Sequence, residues 1–113
     1  MGRRTLALLQ GTLDMLVLKA LAFGPGHGYA VAAWIREVSD DALLIEDGAL
    51  YTALHRMEKR GWLRSEWGLS DNNRRARYYS LTTAGRRHME GDERTWSAYA
   101  DAVFKVLRAG SGS

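Results

Sequence analysis

The sequence lacks cysteine altogether, and it has no uncharged apolar run long enough to span a bilayer. The absence of cysteine excludes disulfide scaffolds and thiolate metal sites, and it fits a reducing compartment. The chain starts with the basic segment Met1–Arg4, but Gln10 and Asp14 interrupt the apolar stretch that follows, so we predict no export signal. We therefore expect a cytoplasmic protein with no membrane partner.

Histidine is scarce as well, and its spacing argues against an enzyme or a metal sensor. His27, His55 and His88 lie far apart, and no serine or carboxylate stands beside them in a known catalytic pattern. Three scattered histidines without cysteine are a poor ligand set for soft metal ions. We expect a protein that is not an enzyme and that has neither a metal site nor another cofactor.

The composition that is present indicates one compact domain with an uneven distribution of charge. The chain has 113 residues, of which 46% are hydrophobic and 26% are charged, and its net charge is +3. Residues 71–88 contain five arginines and one aspartate, a balance of +4, whereas residues 89–107 contain four acidic and two basic residues, a balance of −2. The positive cluster is either a polyanion-binding surface or a group of solvated arginines.

Two amphipathic helices are predicted in the first third of the chain. In the first, apolar residues begin at Leu6 and recur at three- and four-residue steps from Leu9 onward, with a regular start near Thr12 and an end at the loop Gly24–Gly28. The second spans roughly Tyr29–Val38. Its candidate buried residues are Tyr29, Val31, Ala32, Ile35 and Val38.

A third helix is predicted between Asp47, its expected N-cap, and Gly61, which tolerates a left-handed backbone after the last turn. Its predicted core residues are Leu50, Leu54 and Met57. The opposite face is polar. An α-helix with such a face fits the major groove of DNA, where its N-terminal half can read base edges and basic residues further along can contact phosphates. The base-reading candidates are Tyr51, Thr52 and His55, and the phosphate-binding candidates are Arg56 and Lys59. The alternative is an ordinary solvated helix face.

A β-hairpin is predicted next. The alternating, aromatic segment Trp62–Trp67 and the segment Arg77–Leu81 indicate two antiparallel strands with a polar turn over Gly68–Asn73. Arginines on a narrow turn can enter the minor groove or bind phosphates, and the candidates here are Asn73, Arg74, Arg75 and Arg77. The alternative is that they only keep an edge strand soluble. Tyr29, at the start of the second helix, is either a phosphate contact or a core aromatic residue.

The element order predicts a mainly α fold with a small β-hairpin, namely a winged helix-turn-helix followed by a C-terminal dimerisation helix. Residues 1–81 would form the DNA-binding domain. Thr82 is predicted to cap a helix over residues 82–108, although Gly85 stands where a capping box would have Glu or Gln. The glycine- and serine-rich residues 109–113 have the composition of a flexible tail.

The last helix carries an apolar seam. Its members are spaced by seven, four, three and four residues, as in a coiled coil: Met89, Trp96, Ala100, Val103 and Leu107. A long helix at the end of so small a domain has little core of its own to cover, so the seam indicates a homodimer. A symmetric dimer would place two DNA-reading helices about 34 Å apart, which is one turn of DNA.

Several segments, in their order and spacing, resemble the PadR family of bacterial transcriptional regulators. They are Gly11–Leu21, Gly28-Tyr29, Gly48–Tyr51, Leu54, Glu58, Gly61–Leu63 and Arg77–Gly85, and the similarity extends over residues 6–107. The single short C-terminal helix looks like the smaller subfamily. The resemblance implies a homodimer that binds double-stranded DNA at a palindromic operator, usually as a repressor. The competing function is a winged-helix module for protein–protein contact, which would not need arginines at the wing tip.

One residue departs from the family pattern, and another agrees with it. Thr52 replaces the proline that usually follows the tyrosine of the third helix, and it adds a backbone N–H and a hydroxyl, so the base preference is expected to differ from that of relatives. Trp96 is expected to fill the dimer core or to pack on the first helix. The resemblance also implies a second role for Trp96, stacking on a planar aromatic effector between subunits.

Overall fold

The computed structural model describes residues 11–110 of the chain. Its helices are α1 (Leu13–Ala20), which continues into a single 3₁₀ turn (Leu21–Phe23), α2 (Gly28–Val38), α3 (Asp47–Lys59) and α4 (Thr83–Arg108). The strands β1 (Leu63–Leu69) and β2 (Arg75–Leu81) form one antiparallel hairpin between α3 and α4. This order confirms the predicted fold class. The expectations for Met1–Arg4, Leu6, Leu9 and the end of the tail at 111–113 lie outside the described residues.

The core lies where the apolar faces of the first three helices meet the hairpin. The third helix is seated as predicted, because Leu50, Leu54 and Met57 are all buried.

In α2, Val31 and Ile35 are buried and Ala32 is partly buried. The other two predicted core positions of α2 are wrong. Tyr29 is 78% exposed and Val38 is 57% exposed, because Tyr29 lies on the opposite side of the helix from Val31 and Val38 is the last residue of the helix.

Two of the three predicted helix-end residues have the expected role, and the third does not. Thr82 is the N-cap of α4, since its hydroxyl oxygen accepts from the Gly85 N–H at 3.0 Å. Gly61 has a φ of 82° after the end of α3, as its left-handed position required. Asp47 is not a cap, because it is already the first helical residue, and Glu46 occupies the N-cap position without a side-chain capping bond.

The junction between β1 and α4 explains why a glycine interrupts the capping box. A Cβ on Gly85 would collide with the backbone carbonyl oxygen of Trp62. That oxygen accepts a hydrogen bond from the Thr82 N–H at 3.1 Å, and the Thr82 hydroxyl donates to the Gly61 carbonyl at 2.6 Å. Close backbone packing therefore excludes a glutamate at this position.

The loop before α2 is joined to the hairpin. Gly26 and Tyr79 exchange two backbone hydrogen bonds, of 3.0 and 2.9 Å, and so extend the sheet by one short bridge. Tyr79 itself is buried, and this burial raises the pKa of its hydroxyl, an effect that the nearby Arg77 guanidinium partly offsets. The bridge holds the start of α2 beside the hairpin, which positions the surface described below.

The fourth helix projects beyond the core. Only Gly85 and Met89, near its start, are buried, and the described residues extend over 58 × 38 × 22 Å. The predicted division at residue 81 falls between β2 and the cap of α4, and the assignment of residues 82–108 to dimerisation stays a prediction. Among residues 11–110, no helix is long and apolar enough to cross a membrane.

Candidate nucleic-acid interface

A groove lies between the start of α2, the exposed face of α3 and the hairpin. Six of the predicted DNA-binding residues line it: Tyr29, Tyr51, His55, Arg74, Arg75 and Arg77. The other four, Thr52, Arg56, Lys59 and Asn73, are not part of its lining. The fold thus brings residues that are far apart in the sequence to one concave surface, to which we refer as the wing groove.

The exposed face of α3 forms one wall of the wing groove. Tyr51 is 45% exposed, and Thr52 and His55 are exposed beside it. The buried residues Leu50 and Leu54 hold the opposite side of the helix in the core. Because one face of α3 is buried and the other is exposed, the polar side chains point away from the protein while the helix stays packed in the core.

The hairpin turn, the wing tip, is ordered by its own hydrogen bonds. The Ser70 N–H donates to the Arg74 carbonyl at 2.8 Å, and the Asn73 N–H donates to the Ser70 carbonyl at 2.9 Å. Asn73 has a φ of 59°, which asparagine tolerates better than most residues. Arg74, the last residue of the turn, and Arg75, the first residue of β2, are both exposed. Two cations are therefore presented on an ordered segment.

Arg77 and Arg56 differ from the wing-tip arginines because the protein itself engages them. The Arg77 guanidinium donates to Ser65 Oγ at 2.8 Å and to Glu58 Oε2 at 3.4 Å, which ties β2 to β1 and α3. Arg56 forms an ion pair with Asp14 and so joins α3 to α1. Lys59 is exposed. A DNA contact by Arg56 or Arg77 would compete with these internal partners.

The basic stretch at residues 71–88 does not form a single surface. Arg74 and Arg75 lie at the wing tip, whereas Arg86, in the first turn of α4, donates to the Ala22 carbonyl at 3.3 Å after α1. The balance of +4 seen in the sequence is thus divided between the wing groove and the side of the molecule where α1 meets α4.

Two groove residues were missed by sequence reasoning. The His27 imidazole Nδ1 caps α2 by accepting from the Ala30 N–H at 3.1 Å, and its ring contacts Tyr78 edge-on with 5.4 Å between centroids. Trp67 lies 4.6 Å from the Arg75 guanidinium and is 56% exposed. The position of His27 before a helix was a signal for the cap. No signal in the sequence indicated Trp67, whose place in the groove depends on the register of β1 and β2, in which it pairs with Arg77.

The seam on α4 is largely uncovered in the single chain. Met89 is the exception, because it is buried in the core of its own chain. Trp96, Ala100 and Val103 are partly buried, and Leu107 is 70% exposed. Trp96 stacks on the exposed Tyr99 with 5.9 Å between ring centroids, and Phe104 and Val106 are further exposed apolar residues on α4. Residues 11–110 contain no group of three histidines or carboxylates that could hold a metal ion.

Three helices, a wing and a polar helix face beside the wing define a winged helix-turn-helix protein. The family model described as the transcriptional regulator PadR-like family matches residues 17–91. The chain belongs to this family, whose members are DNA-binding regulators of transcription and not enzymes. This membership favours DNA binding over the alternative of a protein–protein interaction module.

Individual relatives agree with the family assignment. A PadR family transcriptional regulator from Eggerthella lenta is 35% identical, with a TM-score of 0.73 over 89% of this chain and 86% of that one. A PadR family transcription regulator from Clostridium difficile is 28% identical, with a TM-score of 0.74 over 86% and 99%. A 37.1 kDa transposon protein of Streptomyces fradiae is 40% identical over 92 residues, or 81% of this chain. The chain spans 25% of the length of that last relative.

Proposed function

We propose that the chain is a homodimeric repressor that acts in the cytoplasm and binds a palindromic operator with its two wing grooves. The observation that carries this proposal is the single concave surface on which the polar face of α3 and the arginines of the wing tip meet. A helix face of this kind suits the major groove, and arginines on a narrow turn suit the minor groove or its phosphates. One protomer would therefore contact both grooves of the same DNA segment.

The contacts divide into two kinds. Tyr51, Thr52 and His55 lie on the exposed face of α3, and they would read bases. Arg74 and Arg75 are not engaged in any ion pair found among the described residues, so their charges are available for phosphates. Arg56 and Arg77 would act mainly by supporting α3 and the wing, since each has an acidic partner within the chain. Tyr29, Lys59 and Asn73 are assigned to the sugar–phosphate backbone.

The exposed apolar stripe of α4 supports the homodimer. The stripe continues the helix face that buries Gly85 and Met89, and it leaves Leu107 and neighbouring apolar side chains in contact with water. A second copy of the same helix would cover them by a two-fold symmetric contact. Symmetry of the dimer would then require symmetry of the operator.

A gel-shift series against DNA upstream of the chain's own gene tests DNA binding. We expect binding that prefers this DNA over random DNA and that weakens as salt rises. Replacing both Arg74 and Arg75 by alanine should lower the slope of log affinity against log salt by about 2, because each lost phosphate contact removes about one released counterion. Equal affinity for random DNA would contradict the proposal.

Addition of the protein should also reduce transcription from that promoter, and an increase would contradict the repressor role.

The stacked pair Trp96–Tyr99 supports a further, separate proposal, that a planar aromatic effector stacks on Trp96 in the dimer. Titration with planar aromatic compounds should quench tryptophan fluorescence. The chain has four tryptophans, so the control is Trp96→Phe, which should remove the response. A response of the same size in that variant, or none in the DNA-binding dimer, would contradict the effector proposal.

A further inference from the structure

Gly28 is a buried glycine at the first position of α2, and the ring of Tyr51 from α3 fills the space beside it. A Cβ placed on Gly28 would lie 2.9 Å from Cε1, Cζ and the hydroxyl oxygen of Tyr51. A Cβ atom is essentially never found this close to a nonbonded heavy atom, so a side chain at residue 28 and the present Tyr51 ring exclude each other.

The backbone conformation of Gly28 does not itself require glycine. Among the described residues, the glycines with positive φ are Gly11, Gly24, Gly61 and Gly110, and Gly28 is not one of them. Alanine could adopt the helical conformation that begins at Gly28. The lack of a side chain is therefore needed for the space that Tyr51 occupies, and not for a turn.

If a methyl group were added, the Tyr51 ring would move and the backbones would not. The start of α2 is held by the paired hydrogen bonds between Gly26 and Tyr79 and by the His27 cap. The backbone of α3 is held by its buried neighbours Leu50 and Leu54. Tyr51, in contrast, is 45% exposed as a residue, so its ring can rotate away from Gly28 into solvent.

We propose that Gly28 is a positioning residue for DNA recognition, whose bare backbone seats the Tyr51 ring and fixes where its hydroxyl points in the wing groove. The proposal rests on the proposed function, in which Tyr51 contacts DNA. Gly28 would then influence the base preference without touching a base. It would do so through the contact between the start of α2 and Tyr51 on the exposed face of α3.

A double-mutant cycle on the full-length chain tests this role. The four proteins are wild type, Gly28→Ala, Tyr51→Ala and the double variant, each assayed on a DNA site selected by wild type from random sequences. We expect Gly28→Ala to weaken binding about tenfold and to alter the preferred bases, as expected for the loss of one base contact. In the Tyr51→Ala background, Gly28→Ala should have no further effect on affinity. Gly91→Ala is the matched control, because its Cβ would meet only Arg94 Nη2, at 4.0 Å.

The ring position can be read without DNA. An aromatic ring against Gly28 should shift the Hα resonances of this glycine in the NMR spectrum, and Tyr51→Leu should remove that shift. The positioning role would be overturned by a Gly28 Hα resonance at its normal position or by wild-type DNA binding of Gly28→Ala. It would also be overturned if Gly28→Ala lowered affinity as much in the Tyr51→Ala background as in wild type. A shifted resonance together with wild-type binding by Tyr51→Ala would instead overturn the DNA-reading role of Tyr51, and the proposed function with it.

Discussion

Gly48 lies in the first turn of α3, one turn before Tyr51 and Thr52 on the same face. A Cβ at this position would meet no heavy atom within 4 Å, so nothing inside the chain requires a glycine there. Glycine in a helix is less favourable than alanine by up to about 1 kcal/mol. A bare backbone at the start of the exposed α3 face, which we propose reads bases, would let DNA approach closely.

We therefore predict opposite effects for Gly48→Ala on stability and on affinity. The free energy of unfolding should rise by about 0.4–1 kcal/mol, because alanine reduces the entropy of the unfolded chain. Affinity for the operator should fall, because the methyl group meets the DNA. Denaturant unfolding and a binding titration measure the two effects. Gly91→Ala in α4 should give the gain in stability alone, and a Gly48→Ala variant that behaved in the same way would contradict the prediction.

Tyr79 predicts how stability depends on pH. Burial raises its folded-state pKa above that of the unfolded chain, which is about 10. Its contribution to stability is therefore fully present below about pH 10, and it is lost as pH rises through the folded-state pKa, because the unfolded chain releases the proton first. Tyr79→Phe should lose less free energy of unfolding than wild type between about pH 8 and about pH 11. Urea unfolding measures the two losses. If wild type and Tyr79→Phe lost the same free energy of unfolding between these pH values, the prediction would be wrong.

Residue roles were only partly predictable. Apolar spacing was sufficient for Leu50, Leu54 and Met57, because a helix has one period and one buried face. The partners of Arg56 and Arg77 were not predictable, because Asp14 is 42 residues from Arg56 in sequence and Glu58 is 19 from Arg77. Arginine in a sequence indicates a positive charge, and only the fold shows whether that charge already has a partner.

The junction of β1 with α4 makes a prediction at the level of elements. Gly85→Ala would place a methyl group on the carbonyl oxygen of Trp62, which the hydrogen bond from Thr82 holds in place. The start of α4 must then move away from the wing. We expect the free energy of unfolding to fall by about 1–3 kcal/mol, as for other overpacked sites. Denaturant unfolding measures it, and Gly91→Ala on the same helix serves as the control. A Gly85→Ala variant as stable as wild type would show that this junction is not closely packed.

Among the helices and strands, the sequence was most informative where a local rule applies. Thr82 was predicted as a cap and is one, and the hairpin was expected from two alternating segments. Its strands nevertheless extend further than predicted, to Leu69 and from Arg75, because the turn closes over a short segment through Ser70 and Arg74. Asp47 failed as a cap because the helix begins one residue earlier than its composition indicated.

The proposed dimer is a property of the whole molecule. Val103→Glu and Leu107→Glu would place charges in the apolar contact between two α4 helices, and burial of an unpaired charge is unfavourable. Both variants should sediment as monomers of about 12.6 kDa, whereas wild type should sediment as a dimer. Ala98→Glu, on the opposite face of α4, is the matched control and should remain dimeric. A wild-type chain that sediments as a monomer would contradict the proposed dimer.

The overall arrangement could be predicted from the order of the elements, but the wing groove could not. Tyr29, Tyr51 and Arg75 come from three different elements, and the pairing of Gly26 with Tyr79 brings the first of these elements to the others. That pairing consists only of backbone hydrogen bonds, which leave no pattern in the side chains. The closeness of Gly28 to Tyr51 could not be predicted either, because it depends on how α2 packs against α3.

Selection of bound sequences from random DNA can separate the two proposed roles, in which α3 reads bases and the wing tip anchors the complex. The proteins to compare are wild type, Tyr51→Ala and the double variant Arg74→Ala with Arg75→Ala. We predict a palindromic motif for wild type, a changed motif for Tyr51→Ala, and the wild-type motif with uniformly weaker binding for the arginine variant. The same motif and the same uniform loss in both variants would contradict this division of roles, and the absence of any motif for wild type would contradict sequence-specific binding.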